Sequence, residues 1–332
     1  MKIDWTPLRA LVETPKRFVL TTHVRPDADA LGSELAMAGL LEQLGNSVRI
    51  INASPVPARL KFLDPQGKCL QLGYQITEEH ALEADVHLIL DTSAWGQLAE
   101  MGRVFRKTQA VKVVVDHHAS SEDLGAIDLK DVQAEATGAL VFQFAEEMGL
   151  SITPSIATAL YCAIATDTGW FRFSSTTSQT MRTIASLIDF GAEPSVLYPL
   201  LYEQSTLSRI KLSGRALTRM MQDCDGRLAW TYVTLVDYRE TGAEPADTED
   251  LVNECLAIAG VEAAFILIEQ QNGNLKASLR CRGPLDVARI AEQFGGGGHR
   301  QAAGTMLPGP LADAQKMILA SMKAMLAGSS PT

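Results

Sequence analysis

Two apolar runs, VHLIL at 86–90 and VKVVV at 111–115, constrain the fold most. Both have strand length, and neither shows the polar alternation of a half-exposed strand. Such segments must be covered on both faces, as in the centre of a parallel sheet between helix layers. RFVLTT (17–22) and VRIIN (48–52) read as further strands. Asp27 to Gly45 reads as a helix, with Leu31, Leu35, Ala38, Leu41 and Leu44 at helical spacing and Gly45 as its cap. Residues 136–149, 155–166 and 176–190 also read as helices. This alternation predicts an α/β domain over 1–190, an open and mostly parallel sheet flanked by helices.

The pattern changes after Gly191. Pro194 and Pro199 mark 191–206 as a linker. Beyond it, a helix at about 205–222 and a strand at 228–236 precede a helix at 248–259. A hairpin of 261–270 and 275–282 follows, turning at Asn272-Gly273-Asn274. With helices at 285–293 and 311–326, residues 207–328 read as a smaller α+β domain. The expected site is a cleft between the two domains, and 332 residues accommodate both.

Lys plus Arg is 29 against 39 Asp plus Glu, a formal charge of −10. That balance argues against gripping long nucleic acid, which needs an extended basic surface. It leaves room for a short anionic substrate in one local site. The five cysteines are scattered without a C-x-x-C, which fits reduced thiols and a cytoplasmic location. No apolar stretch is long enough to span a bilayer, so no membrane partner is expected. A homodimer is the general expectation for a soluble enzyme.

The chemistry concentrates in a few clusters. His23, Asp27 and Asp29 lie in TTHVRPDADALGS, between a strand and a helix. Asp91 directly follows VHLIL, Asp116-His117-His118 ends and follows VKVVV, and Asp167 ends an apolar segment in ATDTGWFRF. Each has an ordinary explanation. Asp27 or Asp29 could simply cap the helix, and the others could be polar residues at element ends. Yet functional groups in open α/β sheets gather beyond the carboxyl ends of the strands. Five carboxylates meeting there would repel one another unless cations neutralised them. Carboxylate and imidazole without thiolate suit Mn²⁺ or a similar divalent ion, and the ligands suffice for two. His80 and His87 have no such company and read as structural or surface residues.

FGGGGHRQAAG (294–304) is the remaining feature. Gly295, Gly296, Gly297 and Gly298 leave backbone N–H groups unobstructed and can form an anion-binding nest, with His299 beside it. The alternative is a flexible linker. The run matches neither the dinucleotide fingerprint nor the Walker pattern.

HVRPDADALGS, LILDTS, VVVDHH and TDTGWF resemble, in order, the four motifs of the DHH phosphoesterase family, with Ala28 where that family often has glycine. SLR (278–280) and GGGGHRQAAG are similar to its DHH-associated C-terminal domain, so the resemblance spans nearly the whole chain. The length and plan look most like the bacterial nanoRNases, which degrade very short oligoribonucleotides and in many cases dephosphorylate 3′-phosphoadenosine 5′-phosphate (pAp). The resemblance implies that His23, Asp27 and Asp91 hold one Mn²⁺. It implies that Asp29, Asp91, His117 and Asp167 hold a second, with Asp91 bridging. Asp116 would orient an imidazole, and His118 would face the phosphate or stabilise the loop. Arg280 and the Gly295–His299 run would hold the nucleotide. The implied reaction is hydrolysis of nanoRNA or pApA-type dinucleotides by two-metal-activated water. The alternatives are pAp phosphatase as the main activity and, from another class, a non-catalytic nucleotide sensor.

Overall fold

A computed structural model describes residues 3–328 and, of His299, the main chain only. The chain forms two compact units, the first ending at Gln204 and the second beginning at Ser205.

The first unit is built on six strands: β1 (Arg17–Thr21), β2 (Ser47–Asn52), β3 (Cys69–Gln71), β4 (Val86–Leu90), β5 (Val111–Asp116) and β6 (Ile127–Lys130). All are parallel, in the order β3-β2-β1-β4-β5-β6. The helices are α1 (Thr6–Val12), α2 (Ala28–Gln43), α3 (Glu78–Leu82), α4 (Trp95–Lys107), α5 (Thr137–Met148), α6 (Pro154–Asp167), α7 (Ser178–Asp189) and α8 (Pro194–Tyr202). Every residue of β4 is buried, as its continuous apolar character requires. One sheet face packs through Phe18, Leu20, Leu88 and Val113 onto α2, α5 and α6, and the other onto α4 through Ile89, Val114 and Phe105. The strand order reverses between β1 and β4, so the crevice at their carboxyl ends is the natural place for a site.

His87, on β4, is fully buried. Its ring meets Phe105 edge-on at 5.2 Å, and neither ring nitrogen has a hydrogen-bond partner. Burial pulls its pKa down to about 4, assisted by the Lys112 charge.

The segment 191–206, expected as a linker, is largely helical. Its central part is α8, which belongs to the first unit and buries Leu197 in that unit's core. Pro194 stands in the first turn, where a missing N–H costs nothing, so it starts the helix instead of breaking it.

The second unit holds β7 (Met221–Asp223), β8 (Leu228–Val233), β9 (Ala263–Glu269), β10 (Leu275–Cys281), β11 (Gly297–His299) and β12 (Ala302–Leu307). They form one mixed sheet, β11-β12-β10-β9-β8-β7, in which only β8 and β9 pair in parallel. Its helices are α9 (Leu207–Thr218), α10 (Leu235–Thr241), α11 (Leu251–Leu256), α12 (Ala288–Gln293) and α13 (Leu311–Ala327). The strand expected over 228–236 stops at Val233, because Thr234 caps α10 in a box with Asp237. One sheet face packs on α12 and α13. The other packs on α9 and α11 through Ala229, Val233, Ala264, Ile266 and Ile268, all from β8 and β9.

The glycine run is neither a flexible linker nor a free loop. Gly297–His299 is a strand paired antiparallel to β12. A Cβ on Gly296 would lie 2.2 Å from the Gly304 carbonyl oxygen, and one on Gly298 would lie 2.6 Å from that of Ala302. Close approach to β12 therefore demands glycine at both positions.

Candidate metal centre

His23 follows β1 and Asp91 follows β4, on either side of the point where strand order reverses. Asp91 adopts φ +65°, an uncommon conformation for a residue with a side chain. Asp116 is the last residue of β5, and His117 and His118 follow it. Asp27 caps α2, Asp29 sits in its first turn, and Asp167 is the last residue of α6. The structure brings all eight residues together. The ligand atoms of His23, Asp27 and Asp91 lie within 4.8 Å of one another, as do those of Asp29, His117 and Asp167 and those of Asp91, His117 and His118.

His23 Nε2 is 3.4 Å from Asp91 Oδ2 and 3.9 Å from Asp27 Oδ1. His117 Nε2 is 3.5 Å from Asp91 Oδ1, 3.6 Å from Asp167 Oδ2 and 3.7 Å from Asp29 Oδ2. Most of these separations exceed good hydrogen bonds. They match two ligands on one ion: at bonds of about 2.1 Å and angles of 90–180°, donor atoms stand about 3.0–4.2 Å apart.

The tautomers agree with that use. His23 Nδ1 is 3.0 Å from the Val24 carbonyl oxygen, and His117 Nδ1 is 3.2 Å from that of Ala134. A carbonyl only accepts, so Nδ1 carries a proton in each ring and Nε2 faces the carboxylates.

Asp29 and Asp91 are almost fully buried. Burial raises both pKa values; neighbouring carboxylates add to the rise at Asp91, whereas His117 works against it at Asp29. Burial, with Asp29 nearby, pushes Asp167 up to about 7. A cluster that resists carrying its own negative charge is one that a cation would stabilise.

Asp27 is also a cap: its Oδ1 accepts from the backbone N–H groups of Asp29 and Ala30, both at 3.0 Å. The structural and the functional reading of this residue are compatible.

Several contributors stand outside the motifs. The amino end of α5 points at Asp29, with Thr137 N donating to Oδ2 at 2.8 Å and Gly138 N to Oδ1 at 2.9 Å. Thr137 Oγ1 donates to Asp91 Oδ1 at 2.8 Å. A Cβ on Gly138 would fall 2.6 Å from that of Ala163, so glycine lets α5 approach α6 closely enough to reach Asp29. Around Asp116, the His118 ring Nδ1–H donates to Oδ1 at 2.8 Å. Ser93 Oγ donates to Oδ2 at 2.6 Å, and Lys130 Nζ lies 3.0 Å from it. Burial alone would raise the Asp116 pKa, but the bonds from His118, Ser93 and Lys130 hold it well below the usual carboxylate range. The same contact, opposed by burial, raises the pKa of His118, whose side chain is half exposed. At the end of β2, Asn52 accepts from Thr22 N at 3.0 Å and donates to Glu34 Oε2 at 2.8 Å. Burial pushes Glu34 up to about 8, so it is mostly neutral at pH 7.

Arg280 lies on β10 in the second unit, half-buried, with Nη1 donating to the Leu279 carbonyl oxygen at 3.1 Å. Among the described residues no carboxylate pairs with it. Gly295 to Gly298 lie in the turn after α12 and in β11. The side chain of His299 lies outside the described residues.

Comparison with known proteins gives a consistent result. The model of the DHH family, N-terminal domain, matches residues 17–164, and that of the DHHA1 domain matches 226–328. A Thermus thermophilus protein named bifunctional oligoribonuclease and PAP phosphatase NrnA is 30% identical over 92% of this chain and 90% of its own. A Bacillus subtilis protein of the same name is 24% identical over 87% and 88%. The crystal structure of an exopolyphosphatase-related protein from Bacteroides fragilis superposes with a TM-score of 0.87 at 28% identity, covering 96% of this chain and 95% of that one. The exonuclease RecJ bound to manganese shares the fold, with a TM-score of 0.56 at 17% identity over 100% and 96% of the two chains. The strand-end cluster, the two matched domains and the full-length similarity identify the chain as a member of the DHH family of phosphoesterases with a C-terminal DHHA1 domain.

Proposed function

We propose that the chain is a metal-dependent phosphodiesterase that hydrolyses very short oligoribonucleotides, pApA-type dinucleotides among them, to mononucleotides. pAp is a second substrate of the same site. One observation carries the reading: six potential ligands from β1, α2, β4, β5 and α6 meet at one strand-end crevice at ion-sharing distances. In this reading His23, Asp27 and Asp91 hold one ion, and Asp29, Asp91, His117 and Asp167 hold the other. The oxygen and imidazole donors suit Mn²⁺. Such a pair of ions supplies water of lowered pKa and positive charge against the phosphate oxygens.

The chain's own groups do the positioning. Backbone carbonyls fix the His23 and His117 rings. The α5 amides and Thr137 hold Asp29 and Asp91 in place without occupying every oxygen lone pair. Asp116 takes the Nδ1 proton of His118 in a hydrogen bond, which leaves Nε2 on a half-exposed ring to meet a phosphate oxygen.

The second unit binds the nucleotide through the β10-β12-β11 end of the sheet face that carries α9 and α11. Strand alternation and pairing register put Lys276, Ser278 and Arg280 on that face, beside Gly304 and Ala302 of β12 and Gly297 of β11. Small residues let a ligand approach the backbone there, and Arg280 supplies a cation that pairs with no carboxylate among the described residues. The relatives named oligoribonuclease and PAP phosphatase support the substrate class. The charge of −10 disfavours long strands. Five free cysteines fit work in the cytoplasm.

The test is a panel of labelled RNAs of two to ten nucleotides plus pAp, assayed with Mn²⁺ and with chelator. Turnover concentrated in the shortest RNAs and abolished by chelator is expected. Equal turnover at all lengths, or turnover of pAp alone, would overturn the substrate assignment.

A further inference from the structure

Immediately after Asp167 the chain makes an unusual turn. Gly169, Trp170 and Phe171 have φ of 59°, 57° and 66°, three left-handed residues in succession, two of them bulky. L residues with large side chains resist this conformation, so it persists only where the surroundings enforce it. Here they do. Trp170 N donates to the Ala165 carbonyl oxygen at 2.6 Å, and the Trp170 ring lies 5.0 Å from Tyr198, 5.6 Å from Tyr202 and 5.8 Å from Tyr161. Arg172 N and Phe173 N both donate to the Thr168 carbonyl oxygen at 3.0 Å. The turn thus folds the chain back, and Phe173 ends one hydrogen bond away from the residue next to Asp167.

The Phe173 side chain is not used in packing the core. It is 54% exposed. Its ring lies against Gly169, where a Cβ would stand 2.5–2.8 Å from Cζ, Cε1 and Cε2. One side of the ring therefore rests on glycine backbone, a support that any larger residue would displace, while much of the ring remains open to solvent. An aromatic surface with a fixed back and an open front is what a nucleobase stacks on, whichever base it is.

From this geometry, and on the nucleotide substrate proposed above, we infer that Phe173 stacks on the nucleobase nearest the metal centre. Phe173 contributes base affinity there, while the phosphate is held by the metal site. Phe173 thereby confers a sequence-tolerant preference for a base over a bare sugar phosphate.

Calorimetric binding of 5′-AMP and of ribose 5-phosphate to the Mn²⁺-loaded full chain tests it. Phe173→Ala is expected to lose about 5- to 150-fold in AMP affinity, the equivalent of 1–3 kcal/mol of stacking at 1.36 kcal/mol per decade. Ribose 5-phosphate affinity should stay unchanged, and Phe173→Trp should restore AMP binding. Unchanged AMP affinity in Phe173→Ala would overturn the inference, as would an equal loss for both ligands, which would mark a disturbance of Asp167. Absence of pApA hydrolysis by the wild-type chain would refute the proposed function, whereas the AMP comparison judges Phe173 without any turnover.

Discussion

Replacing His87 with leucine isolates one cost that the fold carries. Above about pH 7.5 the imidazole is neutral in both the folded and the unfolded chain, so pH has no leverage through it. The folded-state pKa of about 4 lies below the unfolded value of 6.5. As pH falls through that window the unfolded chain takes up a proton that the folded chain refuses, and stability is lost at about 1.36 kcal/mol per unit. The full loss is about 3 kcal/mol, and about 2.5 kcal/mol of it is reached by pH 4.5. That is a large share of a folding free energy of about 5–15 kcal/mol. At pH 7.5 His87→Leu should be neutral or stabilising, because it removes two buried ring nitrogens that lack partners. Urea unfolding of both proteins at pH 7.5 and 4.5, in chelator, gives the difference directly; the aspartate cluster is common to both and cancels. The variant's advantage should grow by about 2.5 kcal/mol at the lower pH. Parallel losses in the two proteins would refute the assignment of this cost to His87.

Gly138→Ala should destabilise the chain by about 1–3 kcal/mol through overpacking against Ala163 and weaken Mn²⁺ binding, read by denaturation and metal titration. Lys130→Met removes the cation beside Asp116 and should lower kcat on pApA by about 10–100-fold with an unchanged circular dichroism spectrum. Glu34 has a folded pKa raised to about 8 from 4.5, so its contribution is present at low pH and lost as pH rises through that window. Glu34→Gln should therefore gain stability relative to wild type between pH 5 and 8 and show a constant difference above it, measured by the same unfolding assay.

Much of this site was legible in the sequence because its ligands sit at strand and helix ends that apolar patterning already locates. VHLIL and VKVVV place Asp91 and Asp116, and the helical spacing of Leu31, Leu35, Ala38, Leu41 and Leu44 after Asp27 places Asp29. What pattern could not supply was non-local register. Lys130 matters because β6 pairs with β5 and sets it opposite Asp116, and IDLK is too short and mixed to read as a strand. Thr137 and Gly138 matter because α5 starts against Asp29, more than a hundred residues away in sequence. α4 is interrupted by Ala99 at φ +43°, which breaks its period. The prolines of 191–206 suggested a connector, yet α8 shows that proline in a first turn starts a helix as readily as it marks a loop. The glycine run suggested an anion nest; close strand packing accounts for Gly296 and Gly298, whereas Gly295, at φ +74°, and Gly297 face open space without that demand.

The central claim is that two ions share Asp91 and that hydrolysis needs both. Its most direct test is the initial rate of pApA hydrolysis as Mn²⁺ is titrated into the metal-free chain at a concentration well above its dissociation constant. The rate should rise to a plateau at two equivalents of Mn²⁺ per chain, and Asp91→Ala should show no turnover at any Mn²⁺ level. A plateau at one equivalent, or turnover that survives in Asp91→Ala, would contradict the account.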